Sequence, residues 1–178
     1  VLTVLLLGQA GCRSIQAPPR SGPTISAFSV IERGIVELRQ AMEQRTTTSR
    51  VIVEAYLDRI ARYDPALRAV ITLNPRALSE ADALDRERAR GAVRGPLHGI
   101  PIALKDNIQT TSMRTTGGAL AFADFVPPYE ATLATHLRQA GAIIVAKTSM
   151  TELANWIAED MPNKYNAISG QGVNPYGA

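Results

Sequence analysis

A strand-length apolar run, Ile100 to Leu104, closes on Lys105, with Asp106 and Asn107 behind it as turn formers. A lysine in that place has three outlets: it reaches water, finds a partner, or loses its proton. The first outlet gives a snorkelling side chain at a strand end. The last gives a partly buried lysine whose pKa falls far enough for it to serve as a base. Lys147 closes a second apolar run, Ala142 to Ala146, in the same way, and spacing alone does not choose between the two lysines. Other chemistry is scarce. Cys12 is the only cysteine, and His98 and His136 are the only histidines, so no disulfide framework, metal centre or metal cofactor is expected. The formal net charge of +3 is too small to argue for a nucleic-acid partner. Asp85-Arg86-Glu87-Arg88 reads as a solvated helix face.

The elements that must position these lysines follow from punctuation. Pro101 has no N–H for a sheet ladder, so the first strand begins about there or lies at a sheet edge. Ala131 to Ala140 reads as a helix with Leu133 and Leu137 on one face and Gly141 just past its end. Strand, helix and strand in succession imply a parallel pair, which brings Lys105 and Lys147 to the same sheet edge, where open α/β sheets bind ligands. Between them, the long loop from Ile108 to Tyr129 carries Thr115-Thr116-Gly117-Gly118 and reads as functional or mobile. Upstream, Ser29 and Glu32 read as a capping box for a helix with Ile31, Ile35, Leu38 and Met42 on its face. Thr46 to Ser49 opens a second helix, with Ile52, Tyr56, Ile60 and Tyr63 as its stripe, ended by Asp64-Pro65. Ala69 to Leu73 reads as a strand, and Asn74-Pro75 starts a helix carrying Leu78, Ala81 and Leu84 that stops at Gly91. Downstream, Thr148 to Trp156 reads as a helix with Ser149 and Glu152 as a capping box, followed by loop from Ile157 onwards. Glu152 and Asp106 are thus a cap and a turn residue rather than general acids, and His98 is structural.

Four motifs in order resemble the amidase signature family: Gly95-Pro-Leu-His-Gly-Ile-Pro-Ile-Ala-Leu-Lys-Asp-Asn107, Thr115-Thr-Gly-Gly118, Gly141-Ala-Ile-Ile-Val-Ala-Lys-Thr-Ser-Met-Thr-Glu-Leu-Ala154 and Asn174-Pro-Tyr176. The likeness spans about residues 28 to 176, including Ala55-Tyr-Leu-Asp-Arg-Ile60, and is similar in wording to bacterial peptide amidases. It implies an α/β fold, a mixed β-sheet flanked by helices behind a helical lead-in, incomplete in this chain. It also implies a Ser-cisSer-Lys triad, with Lys105 as the catalytic lysine and Lys147 outside the triad. A serine attacks the amide carbonyl, and a second serine after a cis peptide bond relays its proton to the neutral lysine. At an ordinary pKa near 10.4, only about one lysine in a thousand is neutral at pH 7.4. Desolvation at the end of an apolar strand, worth about 3–5 in pKa, would suffice. The family's serines lie in a Gly-Ser-Ser-rich loop after Asn-Pro-Tyr. Nothing in this sequence matches that loop, and Ser169, in Ile168-Ser-Gly-Gln-Gly172, departs from it. The expectation is therefore a chain that carries Lys105 without nucleophile or cis-serine, and that is inactive by itself.

The first residues add a second expectation. Val1 to Leu7 is apolar, and Ala10-Gly11-Cys12 resembles the end of a bacterial lipobox, with Gln9 departing from the usual aliphatic residue. Residues 1–13 are read as the end of an export or lipoprotein leader with Cys12 as lipidation candidate, 14–27 as a Pro/Ser-rich tether, and 28–178 as part of the amidase domain. The implied partner is a small-molecule or peptide amide, with no nucleic acid and membrane contact only through a lipid anchor. Two other readings stand beside the exported amidase: the cytosolic glutaminase subunit of an aminoacyl-tRNA amidotransferase, and a non-catalytic relative.

Overall fold

The computed structural model describes residues 28–176, so the leader, Cys12 and the whole of the tether lie outside the described residues. Helix α1 (Ile35–Glu43) begins after Gly34, later than the Ser29–Glu32 box predicts. Glu32 turns the chain with φ 55°, and the Ser29 hydroxyl accepts from Ile31 N at 3.4 Å, so the residues of the box form a turn. Helix α2 (Ser49–Leu67) is capped by Thr48, whose hydroxyl accepts from Val51 N. It runs past Asp64-Pro65. A proline removes one helical N–H, and here the Asp64 carboxylate takes the amides of Ala69 and Val70 just beyond the helix end. Only Ile52 of the expected stripe is fully buried. Tyr63 is exposed, and α2 packs through Ile52, Val53 and Ala55 in its first half.

Strand β1 (Val70–Leu73) leads into α3 (Ala77–Ala89), which buries Ala77, Ala81 and Leu84. The N-cap is Arg76, so Asn74-Pro75 does not start the helix as expected; Asn74 lies ahead of the turn that leads into it. It is buried, its Oδ1 accepts from Arg76 N, and its amide donates to Ile144 O and Glu80. The charged run on α3 is no solvated face. Asp85 accepts from Ser49 N at 2.8 Å and Arg50 N at 3.0 Å, closing the start of α2 from another helix. Glu87 forks Arg94 at 2.5 and 2.7 Å, and Arg88 donates to His98 O. The sequence pattern showed alternating signs but not these partners, which lie outside α3 and, for Asp85, 35 and 36 residues away.

Strands β2 (Pro101–Lys105) and β3 (Ile143–Thr148) form the predicted parallel pair, with α4 (Thr132–Gln139) as crossover. The sheet order is β1-β3-β2, with β1 antiparallel to β3, so the sheet is mixed and flanked by helices. Ile143 and Val145 pack against Val53, Ala81 and Leu84, whereas Ile144 packs with Leu104, Met113 and Ala134. On α4 the buried residue is Ala134, with Leu137 half-buried, and Leu133 is 52% exposed. One residue is about 100° around a helix, so Leu133 points away from the Ala134 face. Gly141, φ 87°, ends α4 as expected. Among the described residues no α-helix follows β3. The strand continues to Thr148, and a short 3₁₀ turn, Glu152–Asn155, is broken by left-handed Leu153 and Ala154. The capping pair of Ser149 and Glu152 does not form: Glu152 accepts from Ala167 N, and Ser149 bonds Asn166. A two-stranded ladder, β4 (Tyr165–Asn166) with β5 (Gly170–Gln171), occupies the region expected to be loop. Among the described residues no helix is long and apolar enough to cross a membrane.

Candidate active site

The β2–β3 register sets Leu104 opposite Lys147 and Lys105 opposite Thr148. Successive strand residues face opposite sides of a sheet, so the lysines that sequence placed together at one edge have different surroundings. Lys105 is the last residue of β2 and is exposed. Lys147 is 0% exposed. The desolvation that sequence assigned to the end of an apolar strand therefore falls, within this chain, on Lys147.

An ammonium has three N–H donors and no acceptor. Around Lys147 Nζ stand Thr115 Oγ1 at 2.8 Å, Arg114 O at 3.3 Å and Asp106 Oδ1 at 3.4 Å. Asp106 is itself 0% exposed, and the turn residue of the sequence reading is the other half of a buried ion pair. Burial pushes the Lys147 pKa below its ordinary value, and the Asp106 carboxylate opposes that fall without cancelling it. Sequence reasoning had one usable signal for Asp106: an acid directly behind an apolar strand, ahead of a loop bearing paired threonines.

Asp106 also shapes that loop. Its Oδ2 accepts from Thr116 N at 3.0 Å and from the Thr116 hydroxyl, and its carbonyl accepts from Gly117 N at 3.3 Å. The Thr116 hydroxyl in turn accepts from Gly118 N at 3.0 Å. From above, Leu153 N donates to Gly117 O and Ala167 N to Gly118 O. A Cβ on Gly118, φ 79°, would meet Asn166 Cβ at 2.8 Å, so glycine is what lets the segments close up. The consequence for chemistry is specific. The N–H groups of Thr116 and Gly117 are spent on Asp106 and that of Gly118 on Thr116, so the loop is a clamp and not a ready anion hole.

The remaining candidates are held structurally. His98 is buried; Nδ1 accepts from Arg94 N at 3.2 Å, which leaves Nε2–H to donate to Leu84 O at 2.9 Å. Ser169 Oγ lies 3.2 Å from Ser149 Oγ and 3.1 Å from Asn166 Oδ1, a hydroxyl pair organised by a buried amide. Among the described residues no cluster of His, Cys, Asp and Glu is arranged to hold a metal ion.

A parallel strand pair delivers a lysine to its carboxyl-end edge, where open α/β sheets bind ligands, with a glycine loop clamped beside it. The amidase family matches residues 51–178, and the chain belongs to that family. It is 37% identical over 176 residues to a probable amidase of Arabidopsis thaliana, covering 97% of this chain and 34% of that protein. Against a glutamyl-tRNA(Gln) amidotransferase subunit of Alkaliphilus metalliredigens it is 44% identical over 128 residues, 71% of this chain and 26% of the relative. The solved peptide amidase of Stenotrophomonas maltophilia superposes with a TM-score of 0.80 at 46% identity, over 82% of this chain and 30% of that one. The chain thus spans about a third or less of the length of these proteins.

Proposed function

We propose that this chain forms part of an exported amide hydrolase in which Lys105 is the base of a Ser-cisSer-Lys triad, both serines being supplied by residues of the longer protein outside this chain. The observation that carries the reading is the exposed Lys105 at the carboxyl end of β2, beside the clamped Thr115–Gly118 loop. In the reaction, the nucleophile's Oγ–C bond forms as its proton passes through the cis-serine to neutral Lys105. The C–N bond then breaks while Lys105 returns that proton to the leaving amine. Water next attacks the acyl-enzyme by the same relay and frees the acid. Lys105 must be neutral at the outset, and the proposal requires the longer protein to cover the surface that is exposed here.

The test uses the full-length protein and an N-blocked dipeptide amide. Lys105→Ala should abolish turnover with the fold retained by circular dichroism, and turnover at parent rates would sink the reading. A glutaminase reading has its own support, because the 44% identity to the amidotransferase subunit is close to the 46% identity to the solved peptide amidase. Ammonia release from free glutamine in preference to the peptide amide would favour it. Export rests on the apolar Val1–Leu7 and the Ala10-Gly11-Cys12 sequence. Mass spectrometry of the native product should find Cys12 as the lipid-bearing first residue, and an intact leader would overturn that part.

A further inference from the structure

We propose that Lys147 is a positioning residue for this hydrolysis: its buried contacts with Asp106 and Thr115 hold the Thr115–Gly118 loop against the strand end that presents Lys105. The inference rests on the reading of Lys105 as base. Its ground is the covalent neighbourhood. Asp106 directly follows Lys105, its N–H donates to Thr148 O at 3.1 Å, and its carbonyl takes Gly117 N. These backbone bonds, with Ile108 N on Lys105 O at 2.9 Å, hold the peptide behind Lys105, and the Asp106 carboxylate on the same residue adds the side-chain half of the grip. The carboxylate's direction is set by two contacts, Thr116 on Oδ2 and Lys147 on Oδ1, and Oδ1 has no hydrogen bond besides the Lys147 contact among the described residues. Without Lys147, a carboxylate with no exposed surface would keep one oxygen unpaired. It would have to take up a proton or swing towards water, and Thr116 and the Lys105–Asp106 peptide would move with it. A core lysine of purely structural use would not be tied to the catalytic residue's own peptide.

The effect should appear in kcat. A displacement of about 1 Å at a reacting group costs on the order of 100-fold. Full-length Lys147→Met should lose about that much kcat per site titrated with an acylating inhibitor, with KM close to the parent's. Lys147→Met/Asp106→Asn removes the unpaired carboxylate and should recover about tenfold of the loss. It should also keep the acid limb of the kcat/KM–pH profile, since Lys105 remains and the net charge of the site is unchanged. Should Lys147→Met fail to fold, the double variant decides alone: kcat per site below the parent's, with the acid limb kept, supports the proposal. Parent-like kcat per titrated site in either variant would make Lys147 merely structural and overturn it. Loss of the acid limb in the double variant would overturn it too, by making Lys147 the base. The two readings fail separately. Parent-like Lys105→Ala removes the base assignment and this inference with it, whereas a dead Lys105→Ala beside a parent-like Lys147→Met removes this inference alone.

Discussion

At Lys147 the desolvation of an ammonium works against its attraction to Asp106, and the fall in the lysine's pKa says which is larger. Breaking a buried pair by removing one partner costs about 3–5 kcal/mol, because the other charge is stranded. Lys147→Met should therefore lower the unfolding free energy in urea by about that amount, and Lys147→Met/Asp106→Asn by clearly less. An equal loss in the two variants would mean that the stranded carboxylate is not the source. The same residue predicts a pH dependence. The folded-state pKa lies below the unfolded value of 10.5, so between the two the unfolded chain binds more protons and stability from this group rises with pH. Its penalty is full below the lowered pKa and has vanished above 10.5. Measured against the double variant, the parent should gain stability as pH climbs towards that value, and a falling difference would contradict the direction of the shift.

Among the elements, helix ends and strand ends depend on single residues. A Cβ on Gly141 would come within 2.7 Å of His98 Cα, and the position holds φ 87°. Gly141→Ala should cost at least about 1–3 kcal/mol, from backbone overlap and left-handed strain together. An unchanged melting curve would show that the α4–β3 turn relaxes more freely than this geometry implies. What was legible here and what was not divide on physical lines. Glycine and proline punctuate locally, so β1, β2, α4, β3 and the parallel pairing could be read from the chain. Asp85, Glu152 and Asp106 could not, because each meets an amide or ammonium from another segment, and a pattern within one element does not show that partner. The same limit explains the lysines. Both close apolar runs, but β3 continues past Lys147 in the centre of the sheet whereas β2 ends at Lys105 on its edge, and the register sets the two lysines on opposite faces.

For the whole molecule, the three-stranded sheet leaves β1 and β2 as its outer strands. Leu120, Phe122, Phe125 and Tyr129 are exposed on the long loop, and Trp156 is 88% exposed. Unpaired strand edges and contiguous apolar surface drive self-association. The 178-residue chain alone should therefore scatter light at concentrations where the full-length protein stays dispersed, and should not hydrolyse a peptide amide or an ester. Turnover by the chain alone that disappears in Ser169→Ala would show that its own serine is the nucleophile, and would undo the triad assignment.

The Asp85 cap bears on how the lead-in assembles. The first amides of α2, at Ser49 and Arg50, are closed by a carboxylate that lies 36 and 35 residues further along the chain. Local bonds close the rest of the first turn, with Val51 N on the Thr48 hydroxyl and Ile52 N on Thr48 O, whereas the Ser49 and Arg50 amides find their partner only when α3 docks. Hydrogen exchange at those two amides becomes a reporter of a remote event. In native-state exchange they should open together with the α3 amides, and Asp85→Ala should free them while the middle of α2 keeps its protection. Helices α2 and α3 would then gain and lose structure as one cooperative unit, joined by the Asp85 carboxylate, the Arg50–Asp82 ion pair and the packing of Val53 against Ala81 and Leu84.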